Sequence, residues 1–582
     1  MEEKRRDFVR PLLTIAIVLL SIFVGMKIAQ MKTAPKAFQF ILPNKEQDKL
    51  SLIINYVKEH YVDSVDMKKI EEAIIPDLLK ELDPHSVYIP ATRMQATNES
   101  LQGNFDGIGI SFNMPYDTVI VINVIPGGPS ERAGILAGDR IITVNDSIIA
   151  GPNIDTDSVM LLLRGKSGSK VTVGVKRDND HSLVPITITR GKIPLKSIDV
   201  AYMVAPEIGY VKMTKFARTT HVEFKKAVDD LHKKGMKSII LDLRQNTGGL
   251  LEQAYEIANE FLPKGKLIVY TEGRTSRRKD LYSNGSGSCI NDSVVILIDE
   301  GSASASEILA GAIQDNDRGL IIGRRSFGKG LVQEPVNFSD GSGMRLTIAR
   351  YYTPTGRSIQ RAYGNDIEEY YFDKYSRIEH GEFMHADSIH HNDSLKYVTP
   401  GGKIVYGGGG ITPDIFTPFD TTGVTEYFIS VSRRNLVYKY VLGFLDDHRK
   451  DMREIADLDA LRKFYNDKNL LDNFVDYAAR NGVKYPSKKE LSECGFLIET
   501  HLKAYIARST PLDDEGYFYV LNIIDSTVQR AVSELNKIID TEEELGNAKK
   551  EVFSHLTYEY KIRMRTVPDI GLIAGYDFIE FG

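Results

Sequence analysis

Ser304 and Lys329 are the two residues of this sequence whose types and surroundings could together do chemistry. A serine hydroxyl is a poor nucleophile until a base takes its proton, and a lysine can be that base when burial lowers its pKa from ~10.4 toward ~7–8. Lys329 lies between two glycines, which permit the unusual backbone angles that suit an inward-pointing side chain. Gln333 follows four positions later. It can hold the lysine amine only if the chain bends, because side chains at that spacing stand about 13 Å apart in a plain strand.

The segments around Ser304 predict where that serine lies in the fold. The apolar, β-branched run 294–298 predicts a strand buried on both faces, hence a parallel sheet. Apolar residues then recur at helical spacing from Ile308 to Ile313, so the serine falls where a strand passes into a helix. Sites in open α/β sheets gather at the carboxyl ends of strands. The alternative is that Ser304 only caps the helix, because Ser304 and Glu307 have the S-x-x-E spacing of a capping box.

A second predicted strand, 238–243, leads toward the paired glycines Gly248 and Gly249. A strand that ends in this way leaves backbone N–H groups free to face an oxyanion, and the sequence does not choose between the two glycines. The run QNTGG is also similar to the serine motif of trypsin-like proteases with PDZ domains, which would make Thr247 the nucleophile. That class needs a double β-barrel, whereas the surrounding pattern alternates strands with helices and argues against it.

Three elements in a defined order and spacing resemble the carboxyl-terminal processing proteases, also called tail-specific proteases. They are GSASASE, FGKG with its lysine 25 positions after the middle serine, and LVQ. The resemblance implies a crotonase-like catalytic core. It also implies that Ser304 is the nucleophile, that Lys329 is the general base, and that Gln333 orients the lysine.

The same resemblance extends to supporting positions. It implies an oxyanion hole made by the Ala305 amide together with that of Gly248 or Gly249. Asp315 matches an acidic position of the family. We expect Asp315 to be structural or supporting, because a carboxylate beside Lys329 would keep the amine charged. We expect no metal and no cofactor.

Residues 101 to about 192 predict a compact β-rich unit that is similar to a PDZ domain. The resemblance is carried by the run 129–145, PSERAGILAGDRIITVN. It implies that Arg164 helps couple this domain to the active site; a surface arginine is the alternative. It also implies that backbone amides receive the terminal carboxylate of a substrate, by strand addition and capture in a nest of N–H groups, where an ordinary tight turn is the alternative. These amides belong to Gly107, Ile108, Gly109 and Ile110.

The amino terminus predicts a membrane anchor. Four basic residues lie within residues 1–10, and residues 11–26 carry no charge. That length falls between the apolar core of a signal peptide and a full membrane span. No small-x-small cleavage site follows, and Lys27 could lengthen the span by snorkelling. We expect an uncleaved signal anchor over residues 1–33, with a cleaved signal peptide as the alternative. Either one sends the rest of the chain to the periplasmic side, or out of the cell if cleaved, and leaves the basic end in the cytoplasm.

Helical spacing predicts helical regions on both sides of the catalytic segments. The segment containing ELDPHSVYIPA resembles the amino-terminal helical domain of the same family, which implies self-association, and His85 within it is interpreted as a turn residue at a helix stop. Residues 366–400 predict a polar, solvated loop whose histidines fit no zinc motif. The carboxyl-terminal helices carry no catalytic constellation and could dimerise, shield the core or simply extend it. They are predicted over 427–446, 458–466, 488–507 and 519–539.

Composition bounds the remaining possibilities. A chain of 582 residues is too long for one core, and its net charge of −6 with mixed signs gives no argument for nucleic acid. Cys289 and Cys494 form no disulfide framework or metal cluster. The predicted fold is multidomain α+β, with a crotonase-like α/β protease core, an inserted β-rich PDZ domain and helical regions at both ends. The expected segments are the anchor at 1–33, helices at 37–100, the PDZ domain at 101–192, the core at 193–420 and helices at 421–582.

The expected function is that of a serine endopeptidase that holds protein carboxyl-terminal tails in its PDZ domain and cleaves them in the cell envelope. Its expected partners are protein or peptide substrates, the inner membrane through the anchor, and further copies of the chain. The alternative from another class is a non-enzymatic PDZ scaffold on an inert protease-like core.

Overall fold

A computed structural model describes residues 49–541, apart from 115–116, 153, 178–181, 365–366 and 467. The described chain divides into two compact units, one ending at Ile74 and one beginning at Ile75. The predicted anchor at 1–33 lies outside the described residues. Within the described part of the chain, none of the helices combines the length and the apolar character that a membrane crossing needs.

The predicted amino-terminal helices are present. The second helix contains Pro76 and ends at Lys80, just before the turn at Asp83. A short strand and a third helix follow the turn, and Gly103 closes that helix in the left-handed conformation with φ 75°. The bounds are α1 Lys49–His60, α2 Met67–Lys80, β1 Val87–Ile89 and α3 Ala91–Gln102.

The β-rich unit follows as a six-stranded antiparallel sheet in the order β3-β4-β5-β7-β8, with β6 paired to β5. Val121, Ile141 and Val173 are among the residues that form its apolar core. A separate antiparallel pair, β2 with β9, joins the two ends of the unit. The bounds are β2 Asn104–Gly107, β3 Ile110–Asn113, β4 Val119–Val124, α4 Pro129–Ala133, β5 Arg140–Val144, β6 Ser147–Ile148, α5 Thr156–Leu163, β7 Lys170–Lys176, β8 Val184–Thr189 and β9 Gly191–Pro194.

A second six-stranded sheet, in the order β10-β11-β12-β15-β16-β21, forms the centre of the larger unit. All its pairs are parallel except β10 with β11, which excludes the double β-barrel that the Thr247 alternative requires. The apolar runs predicted as strands are buried on both faces. Three helices of the same unit cover one of these faces. The bounds are β10 Ile198–Ala205, β11 Ile208–Met213, α6 Thr220–Lys233, β12 Ser238–Asp242, α7 Leu251–Phe261, β15 Ser293–Ile298, α8 Ala305–Asp315, β16 Leu320–Gly323 and β21 Ile415–Phe416.

A third, five-stranded antiparallel sheet lies beside the central one. Strand β18 pairs with β1, β13 and β17, and β14 pairs with β13. Lys329 stands just before β17, so the predicted hairpin after Gln333 is the element that positions the lysine. The bounds are β13 Leu267–Glu272, β14 Lys279–Tyr282, β17 Leu331–Asn337 and β18 Gly343–Tyr352.

The prediction of a solvated loop over residues 366–400 is wrong. The segment begins with a helix, α9 Ile367–Glu379, and ends with strand β19 Lys396–Val398, which pairs with β20 Ile404–Tyr406. Tyr370 and Phe383 are buried, and Arg377 forms an ion pair with Glu382 at 2.7 Å. The side of the helix that meets the core carries Tyr370 and Arg377, while Tyr371, Phe372 and Tyr375 are exposed, so the sequence pattern gives no apolar stripe.

The carboxyl-terminal region is helical as predicted, with different breaks. The first predicted helix is interrupted at Asn435, which has φ 53°, and the helix at residues 470–480 had not been predicted. A last helix, residues 526–541, places Val528 and Leu535 against the second face of the central sheet, so this part of the region completes the core. The other bounds are α10 Glu426–Arg433, α11 Leu436–Arg453, α12 Leu458–Asn466, α13 Leu470–Arg480, α14 Lys488–Arg508 and α15 Asp513–Leu521.

Candidate active site

Ser304 lies at the carboxyl end of β15 and is the N-cap residue of α8. Its backbone has φ 57° and ψ −112°, a conformation that costs a non-glycine residue free energy and that recurs at functional sites. Its neighbours Ala303 and Ala305 are buried, whereas Ser304 is partly exposed. The strained strand-to-helix turn therefore presents the serine to solvent, and α/β-hydrolases present their serine on a sharp turn of the same kind.

Glu307 joins the serine to the lysine segment. Its Oε2 atom accepts hydrogen bonds from the backbone N–H groups of Ser304 at 2.8 Å and Lys329 at 2.9 Å. Its Oε1 atom accepts from Gly328 N–H at 2.7 Å and from the Ser326 hydroxyl at 2.5 Å. Burial raises the pKa of this carboxyl to about 7, although all four hydrogen bonds oppose the shift. Glu307 therefore acts as more than a helix cap, because it fastens the helix start to the turn that carries Lys329.

Lys329 is half-buried and its amine has a defined partner. The Nζ atom donates to Gln333 Oε1 at 2.9 Å. Burial lowers the pKa of the Lys329 amine, with Arg345 as the next contribution, while Asp83 and Glu307 act in the opposite direction. Among the hydrogen bonds of the described residues, none joins Lys329 Nζ to the Ser304 hydroxyl. The structure thus brings the three predicted residues to one place and pairs the lysine with the glutamine.

The bend that the Lys329–Gln333 contact requires is present. The register of β17 against β18 shifts between Val332 and Gln333, and Gly328 has φ 91°. The Gln333 Nε2 atom donates to the backbone carbonyl of His85. One amide side chain therefore links the lysine amine to the turn that precedes β1.

That turn is fixed by its first residue. Asp83 accepts hydrogen bonds from the N–H groups of His85 and Ser86 at 2.8 Å each and from the Ser86 hydroxyl at 2.6 Å. The Ser86 hydroxyl also accepts from Thr347 N–H of β18 at 3.1 Å. His85, interpreted from the sequence as a turn residue, does lie in a turn, and the fold places that turn against Gln333.

The two glycines expected at the oxyanion hole occupy different surroundings. A Cβ atom on Gly248 would lie 2.9 Å from both the Ala305 nitrogen and the Ser304 Cβ, so only glycine allows this approach. The Gly248 N–H donates to Asn246 Oδ1 at 2.9 Å. No hydrogen bond in the described part of the chain uses the N–H of Gly249 or Ala305. The Ala305 amide is thus open beside the serine, and the glycine amide left open is that of Gly249.

The segment Gly107–Ile110 joins β2 to β3. Its two central carbonyls are occupied, because Ile108 accepts from Ser130 N–H at 3.0 Å and Gly109 from Ile125 N–H at 3.1 Å. Across the described residues, the N–H groups of Ile108 and Gly109 have no acceptor. Strand β3 is an edge of its sheet, so an added strand could pair there and end at these amides.

The two supporting residues lie away from the lysine. Arg164 pairs with Glu99 of α3 at 3.0 Å and lies over the Phe105 ring at 4.7 Å. Asp315 forms a fully buried ion pair with Arg357 at 2.6 Å, at the far end of α8. Eleven residues of helix separate it from Ser304, about 16 Å along the axis. Neither residue makes a described hydrogen bond or ion pair with Ser304, Lys329 or Gln333.

Sequence reasoning missed the parts that hold the site together. The Tyr351 hydroxyl donates to the carbonyls of Ser304, at 3.0 Å, and Lys329, and it comes from the end of β18 with no motif to mark it. Glu307 was visible within GSASASE, but only as a capping residue. His85 was visible only as a turn residue, because nothing local indicates that its carbonyl meets a glutamine 248 positions away.

The chain is similar to known proteins over its central part. The model of peptidase family S41 matches residues 207–368 and that of the PDZ domain matches 107–188, while a family of unknown function matches 427–510. A carboxy-terminal processing protease CtpA of Bacillus subtilis is 33% identical over 315 residues, covering 54% of this chain and 66% of that protein. The solved structure of the photosystem II D1 C-terminal processing protease is 31% identical in sequence. The match covers 53% of this chain and 88% of that chain, with a TM-score of 0.30.

A further relative matches over most of its length. The carboxy-terminal-processing protease of Bartonella bacilliformis is 36% identical over 333 residues, which covers 55% of this chain and 76% of that protein. The matched residues include the core that presents Ser304 and Lys329. By this similarity, the chain belongs to the carboxy-terminal-processing proteases of peptidase family S41 and carries a PDZ domain.

Proposed function

We propose that this protease is a serine endopeptidase in which Ser304 is the nucleophile and Lys329 the general base. The single observation that carries the proposal is the carboxylate of Glu307, which holds the backbone of both residues at one point. A serine in a strained, partly exposed turn and a buried lysine whose pKa is lowered have the properties that the two roles require.

The reaction begins when the neutral Lys329 amine takes the proton of the Ser304 hydroxyl. The serine oxygen attacks the peptide carbonyl, and the amides of Ala305 and of Gly249 or Gly248 stabilise the negative charge on the carbonyl oxygen. The ammonium of Lys329 then protonates the leaving amine. Water hydrolyses the resulting ester by the same route in reverse, with the lysine again as base.

The Lys329 amine donates to Gln333 rather than to Ser304, which favours an enzyme that completes its catalytic contact when substrate arrives. The lysine side chain has four rotatable bonds, and rotation about them from the glutamine to the serine would complete the contact. This arrangement is compatible with chemistry because active-site hydrogen bonds are commonly long or misdirected before substrate binds.

We assign selection of the substrate to the PDZ domain. The terminal carboxylate of a protein tail would bind at the open amides of Ile108 and Gly109, and the tail would pair with the edge of β3. The chain beyond the tail would then reach Ser304. We also assign the enzyme to the cell envelope, anchored by residues 1–33 with the catalytic part on the periplasmic side, and working as a homo-oligomer.

Four variants test the proposal on the full chain. Ser304→Ala and Lys329→Ala should each abolish hydrolysis of a fluorescein-labelled, unstructured protein such as β-casein while the thermal unfolding midpoint stays close to wild type. Ser432→Ala and Lys226→Ala are exposed controls of the same residue types and should leave hydrolysis unchanged. Cleavage at the wild-type rate by either active-site variant would refute the assignment.

A serine-reactive acylating probe separates the enzyme from an inert PDZ scaffold. An enzyme should be labelled at Ser304, and more rapidly when a peptide with an apolar carboxyl terminus is added. A scaffold would show no labelling of this serine in either condition, as judged by mass spectrometry of the labelled peptides.

A further inference from the structure

Helix α9 reaches the turn that holds Gln333. The helix begins at Ile367, so nearly all of it lies beyond the residues matched by the S41 family model, which ends at 368. The hydroxyl of Tyr370 lies 2.7 Å from His85 Nε2, and the hydroxyl of Tyr371 donates to the Pro84 carbonyl at 2.7 Å. Two consecutive tyrosines of the helix therefore hold two consecutive residues of the turn.

A continuous path runs from this contact to the lysine amine. The His85 ring is bonded to Tyr370, and its backbone carbonyl accepts from Gln333 Nε2. The Gln333 Oε1 atom accepts from Lys329 Nζ at 2.9 Å. Only one residue, His85, separates the helix from the side chain that orients the lysine.

Helix α9 is also tied to the turn that carries Lys329. The Arg361 N–H donates to the Gly328 carbonyl at 2.9 Å, and the Arg361 guanidinium lies over the Tyr370 ring at 4.0 Å and over the Phe327 ring at 4.8 Å. The His85 ring meets both aromatic rings edge-on, at 5.4 Å from Tyr370 and 6.2 Å from Phe327. These four residues, His85, Phe327, Arg361 and Tyr370, form a packed layer that we call the Tyr370 cluster.

We propose that Tyr370 is a positioning residue: through His85 and Gln333, the Tyr370 cluster holds the Lys329 amine in place and keeps water away from it. The proposal rests on the role of Lys329 as the general base. It assigns to α9 an indirect influence on the reaction, because the helix acts through His85 and Gln333 and not on the reacting atoms themselves.

The charged groups around the lysine determine what the loss of this cluster should do. The pKa of Lys329 is lowered chiefly by burial, and the groups that face it are Asp83 and His85 of the turn, Arg345 of β18 and Glu307 of α8. Burial, with Lys329 next, lowers the pKa of His85 to about 4, so the ring is neutral near pH 7 and pairs with Tyr370 without a charge.

The charge of Arg361 in the cluster is already paired, because Arg361 forms an ion pair with Asp373. A loosened cluster therefore acts on the lysine mainly by admitting water. Water weakens the desolvation that lowers the pKa of Lys329, so the amine will hold its proton to a higher pH.

The test is the pH dependence of kcat/KM for the full chain with fluorescein-labelled β-casein. In Tyr370→Phe the ring and its packing remain and only the hydroxyl is lost. We expect the midpoint of the acid limb to move up by about half to one pH unit, with activity reduced about three- to tenfold below the midpoint and within about twofold of wild type at pH 9.5. Tyr375→Phe, an exposed tyrosine of the same helix, is the matched control and should keep the wild-type profile.

A second variant shows whether the effect passes through His85. His85→Ala retains the carbonyl that binds Gln333 and removes the ring that binds Tyr370, so it should shift the midpoint as Tyr370→Phe does. The double variant should shift it no further, because both changes break one path. Shifts that add in the double variant would overturn the proposal.

The outcomes also separate this inference from the proposed function. The first outcome is that the wild type has an acid limb and Tyr370→Phe keeps its midpoint, even with uniformly lower activity. The tyrosine would then have only a structural role, and this inference alone would be overturned. A wild-type profile without an acid limb would overturn the assignment of Lys329 as base, and this inference with it.

Discussion

The backbone N–H groups of Ser304 and Lys329 donate to the same carboxylate oxygen, Oε2 of Glu307, at 2.8 and 2.9 Å. The two residues are 25 positions apart in the sequence and belong to different elements, a helix start and the approach to a strand. Because one buried acceptor binds both, movement of either backbone breaks a hydrogen bond and leaves the acceptor with one partner fewer. The relative position of the proposed nucleophile and the proposed base is thus set by a residue that need not take part in the chemistry.

Glu307→Gln should lower kcat/KM by about 10- to 100-fold, since a displacement of the catalytic groups of about 1 Å can cost that much. Glutamine has nearly the same shape, but its NH2 group faces N–H donors and cannot replace the second acceptor oxygen. Steady-state hydrolysis of the labelled protein measures the effect. Wild-type kinetics in the glutamine variant would show that the shared carboxylate does not position the dyad.

The same variant should also differ from the wild type in how its free energy of unfolding depends on pH. The pKa of Glu307 is raised to about 7 in the folded protein, so the folded state keeps a proton that the unfolded chain releases above its ordinary value of 4.5. The free energy of unfolding of the wild type should therefore fall as the pH rises from about 4.5 to 7, by roughly 3 kcal/mol from this group. Denaturant titrations of Glu307→Gln should lack this contribution.

Arg345→Gln should move the acid limb of the activity profile to higher pH. Arg345 contributes to the lowered pKa of Lys329, so its removal lets the lysine keep its proton to a higher pH. Activity should fall at acidic and neutral pH and recover at alkaline pH. Arg350→Gln, an exposed arginine of the same strand, is the control. A midpoint that moves to lower pH in Arg345→Gln would contradict the assignment.

Gly109→Ala should weaken binding of a peptide with an apolar, free carboxyl terminus by at least about tenfold, because the amides of this turn are the proposed carboxylate receptor. Gly109 has φ 79°, and a Cβ atom there would lie 2.9 Å from Ile193 Cδ1. Gly127→Ala is matched in backbone conformation, with φ 69°, but its Cβ would meet nothing within 4 Å. Fluorescence anisotropy should show a loss of affinity for the first variant only, and equal losses would place the carboxylate elsewhere.

Asp315→Asn should destabilise the protein by about 3 kcal/mol, because it leaves the buried Arg357 guanidinium without its ion pair. The pH profile of the remaining activity should not move, since Asp315 lies at the far end of α8 from Ser304. Asp230→Asn, which breaks an exposed ion pair with Lys233, should leave the unfolding midpoint unchanged. A shifted pH profile in Asp315→Asn would assign it a role in setting the base.

Local patterns were sufficient for the segment around Ser304 and for the β-rich unit. The unbroken apolar run at 294–298 predicted a strand buried on both faces, and the structure confirms it as β15 with α8 beginning directly after Ser304. The spacing of Lys329 and Gln333 required a bend, and the structure has a shift of register there. These features depend on residues close in the chain, so their periodicity and glycines are enough to predict them.

The tertiary structure alone decided which distant residues support the site. His85 and Tyr370 are 285 positions apart, and no property of either local sequence indicates that they meet. The same is true of Gly248 and Gly249, which the sequence could not tell apart until the fold brought one against Ser304 and left the amide of the other open. The polar composition of residues 366–400 predicted a loop, whereas the buried Tyr370 and Phe383 make the segment part of the core. Contacts between distant segments depend on how whole elements pack together, and that information is not contained in any local spacing of residue types.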